Sequence, residues 1–256
     1  MTESQRCTAT EMLAIVSARQ LEDGQVVFAG VGIPLLAATL AQRLRCPSLT
    51  ILFEGGVIGA FVEPGKLPPS TNDQRCTKRA NMVLGSADVL LLLQRGYVDV
   101  GFMGGAQIDQ YGNLNSSFIG SPAAPKTRLP GTGGGNDIAS LTNMIVAMKH
   151  ERRRFVEKVD FITSPGFIHG WKTRAESGLT AGGMFRVITE LAVFGFDDET
   201  RRMKVLALNP GVSRAQVQDN TGFELLFDET LSMTEPPAGH ELEALRELDP
   251  DRQFTA

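Results

Sequence analysis

Apolar and polar positions along this chain follow two periods. Near its start, Thr8-x-x-Glu11 has the form of a capping box, and the apolar positions Met12, Leu13, Val16 and Leu21 keep one helical face until Gly24 ends it. QVVFAG at 25–30 is a short apolar run of the kind a buried strand makes. Gly30-Val31-Gly32-Ile33-Pro34 then turns the chain into a helix predicted over about 35–44, with proline at a helix start, where its missing N–H costs little. A second strand is predicted from Leu49 to Phe53 and ends in Glu54-Gly55-Gly56. The polar stretch 63–73, with three prolines, reads as a surface loop. ADVLLLLQ at 87–94 fits a helix or a buried strand by periodicity alone, and Gly96, a C-terminal stop, favours the helix. Asp99–Met103 is the next strand. Further strands are predicted at 144–148, 159–163, 187–194 and 203–208, the last two joined as an antiparallel hairpin by Asp197-Asp198-Glu199-Thr200. IASLTNM after Asp137 reads as helical, and ELEALRELD at 241–249 as an amphipathic helix with its charges outward. Helices and strands in alternation predict an α/β fold with functional loops at strand ends. No repeat or linker interrupts the pattern, so a single domain over 1–256 is expected.

Composition narrows the function. A chain of 256 residues buries a core without disulfide staples. No run approaches the roughly 20 apolar residues of a spanning helix, so no membrane is expected. The net charge of −4 does not suit a polyanion, so nucleic acid is not expected as a partner. Cys7, Cys46 and Cys76 lack CxxC spacing, and with His150, His169 and His240 equally dispersed they frame no zinc site. The opening MTESQRCTATEM has neither a basic n-region nor an apolar h-region, so a cytoplasmic location is expected. Glycine is the departure: 27 residues, about a tenth of the chain against a usual 7%, ten of them between Gly96 and Gly135 and five between Gly30 and Gly59.

Those glycines frame the candidate chemistry. Glu54 follows an apolar strand and precedes two glycines, which leaves a carboxylate with little bulk around it. A glutamate with the reference pKa of about 4.3 is ionised at neutral pH and needs no neighbouring base to act as a nucleophile. The plainer reading of Glu54 is a carboxylate at a helix start or a surface turn. Gly104-Gly105-Ala106 offers unobstructed backbone N–H groups, or else is a tight turn needing positive φ. Gly131-Thr132-Gly133-Gly134-Gly135-Asn136-Asp137 before a helix has the form of an anion cradle, or is a loop held by chain geometry alone. It lacks the lysine of GxxxxGK[ST], which argues against a triphosphate loop. Gly30-Val31-Gly32 is not a dinucleotide fingerprint, because its third glycine would fall at Leu35 and Pro34 stands inside it. Lys149-His150-Glu151-Arg152-Arg153-Arg154 would reach phosphates or form a solvated or subunit-facing surface. The cysteines read as small fillers.

Four stretches, in order, carry a family resemblance: GVGIPLLAA at 30–38, FEGG at 53–56 with its Glu-x-Gly, GGAQIDQYGNLNSS at 104–117 and GTGGGND at 131–137, to which HERRRFVEKVDFITSPG at 150–166 adds. From TATEMLAI to the C-terminal helix the chain resembles the catalytic B (beta) subunit of family I CoA-transferases, the glutaconate CoA-transferase type in particular. The resemblance implies the family's α/β fold, NagB-like, with a central mixed, largely parallel sheet flanked by helices. It implies Glu54 as the nucleophile that attacks an acyl-CoA thioester, passing through a mixed anhydride and an enzyme–CoA thioester in ping-pong order, with short or dicarboxylic acids as the acyl groups. Gly105, or the Gly105–Ala106 amide, takes the oxyanion position. Gly30, Val31 and Gly32 border the site, and Gly133, Gly134, Gly135 and Asn136 help accommodate CoA. No metal or permanently bound cofactor is implied, the CoA thioester being substrate. A homologous A (alpha) subunit is the implied partner, with the active site at their interface. Hydrolases and decarboxylases that resemble these transferases are the alternative, since they need not keep the Glu54 nucleophile, and a non-catalytic CoA-ester-binding subunit is the other.

Overall fold

The computed structural model describes residues 7–256; Met1–Arg6, on which part of the reading for a targeting segment rests, lie outside the described residues. The chain divides into two compact units, one running to Gly104 and including Pro236–Ala256, the other Gly105–Glu235.

In the first unit, helix α1 (Ala9–Ala18) opens on the expected capping box: Thr8 Oγ1 accepts from the Glu11 N–H at 3.1 Å and Glu11 Oε2 from the Thr8 N–H at 2.8 Å. It ends at Ala18, so Leu21 lies beyond it and is still buried. Strand β1 (Val26–Ala29) leads through the Gly30–Gly32 turn into α2 (Ile33–Leu44), with Pro34 in its first turn. Then come β2 (Thr50–Leu52), β3 (Val57–Ile58), β4 (Met82–Val83), α3 (Ser86–Gln94) and β5 (Val100–Met103). The 87–94 run is the helix its Gly96 stop favoured, Gly96 standing at φ +74°. The strands lie in the order β5-β1-β2-β3-β4. β1 is parallel to both β2 and β5, and β3 and β4 follow antiparallel. Leu13, Ile15 and Val16 of α1 and Leu35, Leu36 and Leu40 of α2 are buried with Val27, Phe28 and Ile51 of the strands.

The second unit holds two short hairpins, β6 (Gln107–Ile108) with β7 (Leu114–Asn115) and β8 (Phe118–Ser121) with β9 (Ala124–Arg128). Helix α4 (Gly135–Leu141) follows the glycine loop, but Asn143 and Met144, expected in it, belong to β10 (Asn143–Ala147). The chain continues through α5 (Trp171–Glu176), β11 (Gly183–Ile188), β12 (Ala192–Phe196), β13 (Met203–Leu208), α6 (Arg214–Asp219) and β14 (Leu226–Met233). β10 through β14 pair in chain order; β10–β11 and β13–β14 are parallel, the two pairs between them antiparallel. Back in the first unit, α7 (Gly239–Leu248) is the expected terminal amphipathic helix. Its Arg246 Nε reaches the buried Glu11 carboxylate at 2.8 Å. Burial would raise the Glu11 carboxyl, but the bonds from Arg246 and the Thr8 N–H hold it below the usual carboxylate range.

Two strand expectations are corrected. Residues 187–194 are not one strand: Thr189 Oγ1 accepts from the Leu191 and Ala192 N–H groups at 3.1 and 3.0 Å and folds a reversal between β11 and β12. Residues 159–163 form no strand, because their polar groups are spent on the hairpins, Asp160 Oδ2 accepting from the Gly120 N–H and Gln107 Nε2 at 2.9 and 3.3 Å. The Asp197–Thr200 hairpin does form, Asp197 Oδ1 accepting from the Glu199 and Thr200 N–H groups at 3.2 and 2.8 Å.

Candidate active site

Glu54 occupies the first central position of the tight turn joining β2 to β3. The Gly56 N–H donates to the Phe53 carbonyl and the Phe53 N–H to the Val57 carbonyl, both at 2.9 Å. Gly56 has φ +105°, and a Cβ on it would stand 1.9 Å from the Leu84 carbonyl oxygen. A Cβ on Gly55 would stand 2.6 Å from Asn72 Oδ1 and 2.7 Å from the Thr71 carbonyl oxygen. Both glycines are therefore sterically required, and their close neighbours hold the turn that carries the half-buried Glu54. Phe28 pairs in register with Leu52, so Gly30 and Glu54 each lie two residues past that pair, at the carboxyl ends of adjacent parallel strands. There the Gly30 N–H donates to the Phe102 carbonyl at 2.9 Å, Val31 is exposed, and Gly32 at φ +92° caps α2. The structure thus brings Glu54 and the Gly30–Gly32 turn to one end of one sheet.

Gly105 and Ala106 open the second unit. The Ala106 N–H donates to the Asn115 carbonyl at 3.3 Å, whereas the Gly105 N–H makes no hydrogen bond among the described residues. Of the two candidate donors, Gly105 is the one left open. A Cβ on Gly105 would lie 3.0 Å from Leu114 Cδ2, so the position is close-packed. Around it lies a buried polar network. Asn115 Nδ2 donates to Gln107 Oε1 and to the Phe118 carbonyl, both at 2.7 Å. Asp109 accepts from Asn113 Nδ2 and from the Tyr111 and Asn113 N–H groups. Asn113 Oδ1 in turn accepts from the Gly166 and Ile168 N–H groups at 2.9 and 3.0 Å. Burial pushes the Asp109 carboxyl up in spite of these bonds.

The glycine loop hangs from the same hairpin. The Gly131 N–H donates to the Ser116 carbonyl at 2.8 Å and the Gly135 N–H to the Thr132 carbonyl at 3.0 Å. Gly133 is exposed at φ +55°, Gly134 and Gly135 are buried, and Asn136 Nδ2 donates to the Thr163 carbonyl at 3.1 Å. Behind the loop, Arg174 is fully buried. Its guanidinium donates to the carbonyls of Gly166 and Ala181 at 2.7 Å, and to those of Pro165, Ala139 and Ser140 at 3.2–3.3 Å. A guanidinium at the C-terminal end of α4 complements that helix's dipole.

The charge run at 149–154 is divided between core and surface. His150 is buried, stacked on Phe155 at 4.1 Å between ring centroids, with Nδ1 and Nε2 on the Thr189 and Thr221 hydroxyls at 3.2 and 3.0 Å. Burial lowers its pKa to about 3, so it is neutral at physiological pH. Glu151 accepts from Arg153 and Arg154. Burial raises all three cysteine thiols, Cys7 to about 11, so none is poised as a thiolate. Among the described residues no group of three or more His, Cys, Asp or Glu side chains is placed to hold a metal ion, and no helix is long and apolar enough to cross a membrane.

Asn113, Asn115, Asp109 and Arg174 were not picked out from sequence. The signal was present for the first three in the alternation Gln-Ile-Asp and Asn-Leu-Asn on either side of a turn, the period of two strands. Arg174 carries no such pattern.

The sequence matches the coenzyme A transferase family over residues 10–220, and the chain belongs to that family. It is of the family I, B-subunit type. It is 39% identical over 244 residues to the B subunit of 3-oxoadipate CoA-transferase from Pseudomonas knackmussii, covering 94% of this chain and 93% of that one. It is 37% identical over 254 residues to the B subunit of glutaconate CoA-transferase from Acidaminococcus fermentans, covering 96% and 94%. The crystal structure of glutaconate coenzyme A-transferase from Acidaminococcus fermentans superposes with a TM-score of 0.92 at 35% identity, covering 98% of each chain. Relatives of other chemistry also match: a cholesterol ring-cleaving hydrolase subunit of Rhodococcus jostii, 34% identical over 58% of each chain, and the decarboxylase AibA/AibB, TM-score 0.82 at 26% identity, covering 97% and 98%. The fold is the α/β architecture expected, and the chain is a CoA-transferase subunit.

Proposed function

We propose that Glu54 is the nucleophile of a CoA transfer between an acyl-CoA and a free dicarboxylic or short acid. The Glu54 carboxylate attacks the thioester carbonyl; the C–S bond breaks and the CoA thiolate leaves with its electron pair, giving a mixed anhydride. The thiolate then attacks the glutamyl carbonyl, releasing the donor acid as carboxylate and leaving CoA on Glu54. The acceptor carboxylate reverses both steps and regenerates Glu54. The observation that carries this reading is the Glu54 turn: a half-buried carboxylate at the carboxyl end of a parallel strand, on two glycines that no other residue can replace. Gly105 donates its N–H to the tetrahedral oxyanions, Gly30, Val31 and Gly32 border the carboxylate, and Gly133, Gly134, Gly135 and Asn136 receive CoA. With His150 neutral and both its ring nitrogens on threonines, and the thiols raised, a nucleophile already ionised fits the residues present. The two relatives of near-complete coverage are named for 3-oxoadipate and glutaconate, both dicarboxylates, which supports a dicarboxylic acid here. The B-subunit naming of those relatives supports a homologous A subunit as partner, and no metal or resident cofactor is needed for the steps.

The test is steady-state kinetics of the complex with its A subunit over a panel of acids. Parallel lines in double-reciprocal plots and loss of exchange in Glu54→Ala are expected. Hydrolysis or decarboxylation of the acyl-CoA with no transfer to any acid would assign the chain to the other chemistries of its relatives; tight acyl-CoA binding without turnover would make it a binding subunit.

A further inference from the structure

The charge run at 149–154 is tied to the strand that carries the candidate oxyanion peptide. The Ile108 N–H donates to the Arg154 carbonyl at 2.7 Å and the Val156 N–H to the Ile108 carbonyl at 3.0 Å, so this segment is stitched to β6 two residues past Ala106. From there the Arg154 side chain turns back. Its Nε meets Glu151 Oε2 at 3.2 Å and its Nη1 meets the Gly105 carbonyl oxygen at 3.4 Å. The other polar end of that peptide, the Ala106 N–H, is taken by the Asn115 carbonyl at 3.3 Å, and Asn115 is itself fixed through its amide. The Gly105–Ala106 peptide plane is thus gripped at both its C=O and its N–H. Holding that plane fixes one of the two peptide planes that meet at the Gly105 Cα, where no Cβ restrains their relative rotation, and so narrows the directions open to the N–H on the other.

We propose that Arg154 is a positioning residue for Gly105: its guanidinium, steadied by Glu151, holds the Gly105 carbonyl so that the open Gly105 N–H is presented to the oxyanion as charge develops. The inference rests on the oxyanion role proposed above for Gly105. A charge-assisted contact to one end of a peptide also polarises it, and a fixed donor costs no reorganisation at the moment of reaction. Arg154 and Glu151 are each about a third exposed, 31% and 35% by side chain, so replacing either leaves the buried core intact.

The experiment uses the two-subunit complex and compares Arg154→Met, Arg154→Lys, Glu151→Gln and Glu54→Ala, with thermal unfolding as the folding control. Arg154→Met is expected to lower kcat about tenfold, less than the 10²–10³ typical of losing a donor outright. Its KM for acyl-CoA stays within about twofold, the signature of an interaction made only in the transition state. Arg154→Lys recovers part of the loss, and Glu151→Gln falls between it and the wild type. A raised acyl-CoA KM at unchanged kcat would instead make Arg154 a phosphate ligand and overturn the inference; wild-type kinetics in Arg154→Met would make it a solvated charge and overturn it equally. If Arg154→Met does not assemble, Glu151→Gln decides alone, and wild-type kcat in it overturns the proposal. Full activity in Glu54→Ala would remove the proposed nucleophile without bearing on Arg154, whereas an inactive Glu54→Ala beside an unaffected Arg154→Met removes Arg154 alone.

Discussion

The Glu54 turn and the Gly105–Asn115 segment are held in place by opposite means. At the turn the restraint is steric and almost entirely backbone: Gly55 and Gly56 lie against Thr71, Asn72 and Leu84 so closely that a methyl group cannot be added. In the Gly105–Asn115 segment the restraint is polar, and buried side chains add to its backbone bonds: Gln107, Asp109, Asn113 and Asn115 are all buried and hydrogen-bonded to one another or to nearby backbone. The difference follows from what each region presents. A charged side chain that is to react needs a rigid root, which the two glycines supply. A backbone N–H donor needs the adjoining peptide held while it stays open, and polar partners on the neighbouring groups supply that hold.

One added methyl at the Glu54 turn has the largest expected effect. Gly56→Ala places a Cβ 1.9 Å from the Leu84 carbonyl oxygen at φ +105°, and a loss of more than about 3 kcal/mol is expected in urea unfolding, with activity gone. In the polar region Asn113→Ala strips partners from the Gly166 and Ile168 N–H groups and from the buried Asp109, a loss of about 2–4 kcal/mol in the same assay. If Asn113→Ala proves the milder of the two by only a few tenths, the steric and polar restraints are equivalent and the distinction fails.

Acid sharpens the contrast, because the second unit also buries a neutral histidine. The His150 pKa, about 3 when folded against about 6.5 when unfolded, means that the unfolded chain binds more protons below pH 6.5. Stability is therefore fully present above about pH 6.5 and is lost at up to about 1.4 kcal/mol per pH unit as the pH falls toward 3. Urea midpoints at pH 7, 6, 5 and 4 check this, and His150→Gln flattens the slope. The smallest effect belongs to Arg153, which pairs with Glu151 in solvent: Arg153→Ala leaves both the midpoint and kcat as they are, in contrast to its neighbour Arg154.

Much of the first unit was legible because its signals are local. Thr8 and Glu11 cap a helix within three residues of each other, and Gly30 to Pro34 write a strand end and a helix start in five letters. The second unit was less legible because its polar residues are satisfied by distant partners. Thr189 reverses a run whose apolar content reads as one strand, Asp160 leaves its own segment to serve Gly120 and Gln107, and the strands β6 and β7 show their period over only three residues on each side of a turn. Sequence offers Gly105 and Ala106 together as a source of donors; the Asn115 carbonyl, nine residues from Ala106 along the chain, separates them.

The central claim is that Glu54 becomes covalently joined to acyl and then to CoA. Incubating the two-subunit complex with acyl-CoA alone and reducing it with borohydride tests this directly. The peptide containing residue 54, and no other, is expected to carry the alcohol that reduction of a glutamyl thioester leaves, with no such product in Glu54→Ala. An unmodified Glu54 peptide from a complex that still transfers CoA would contradict it.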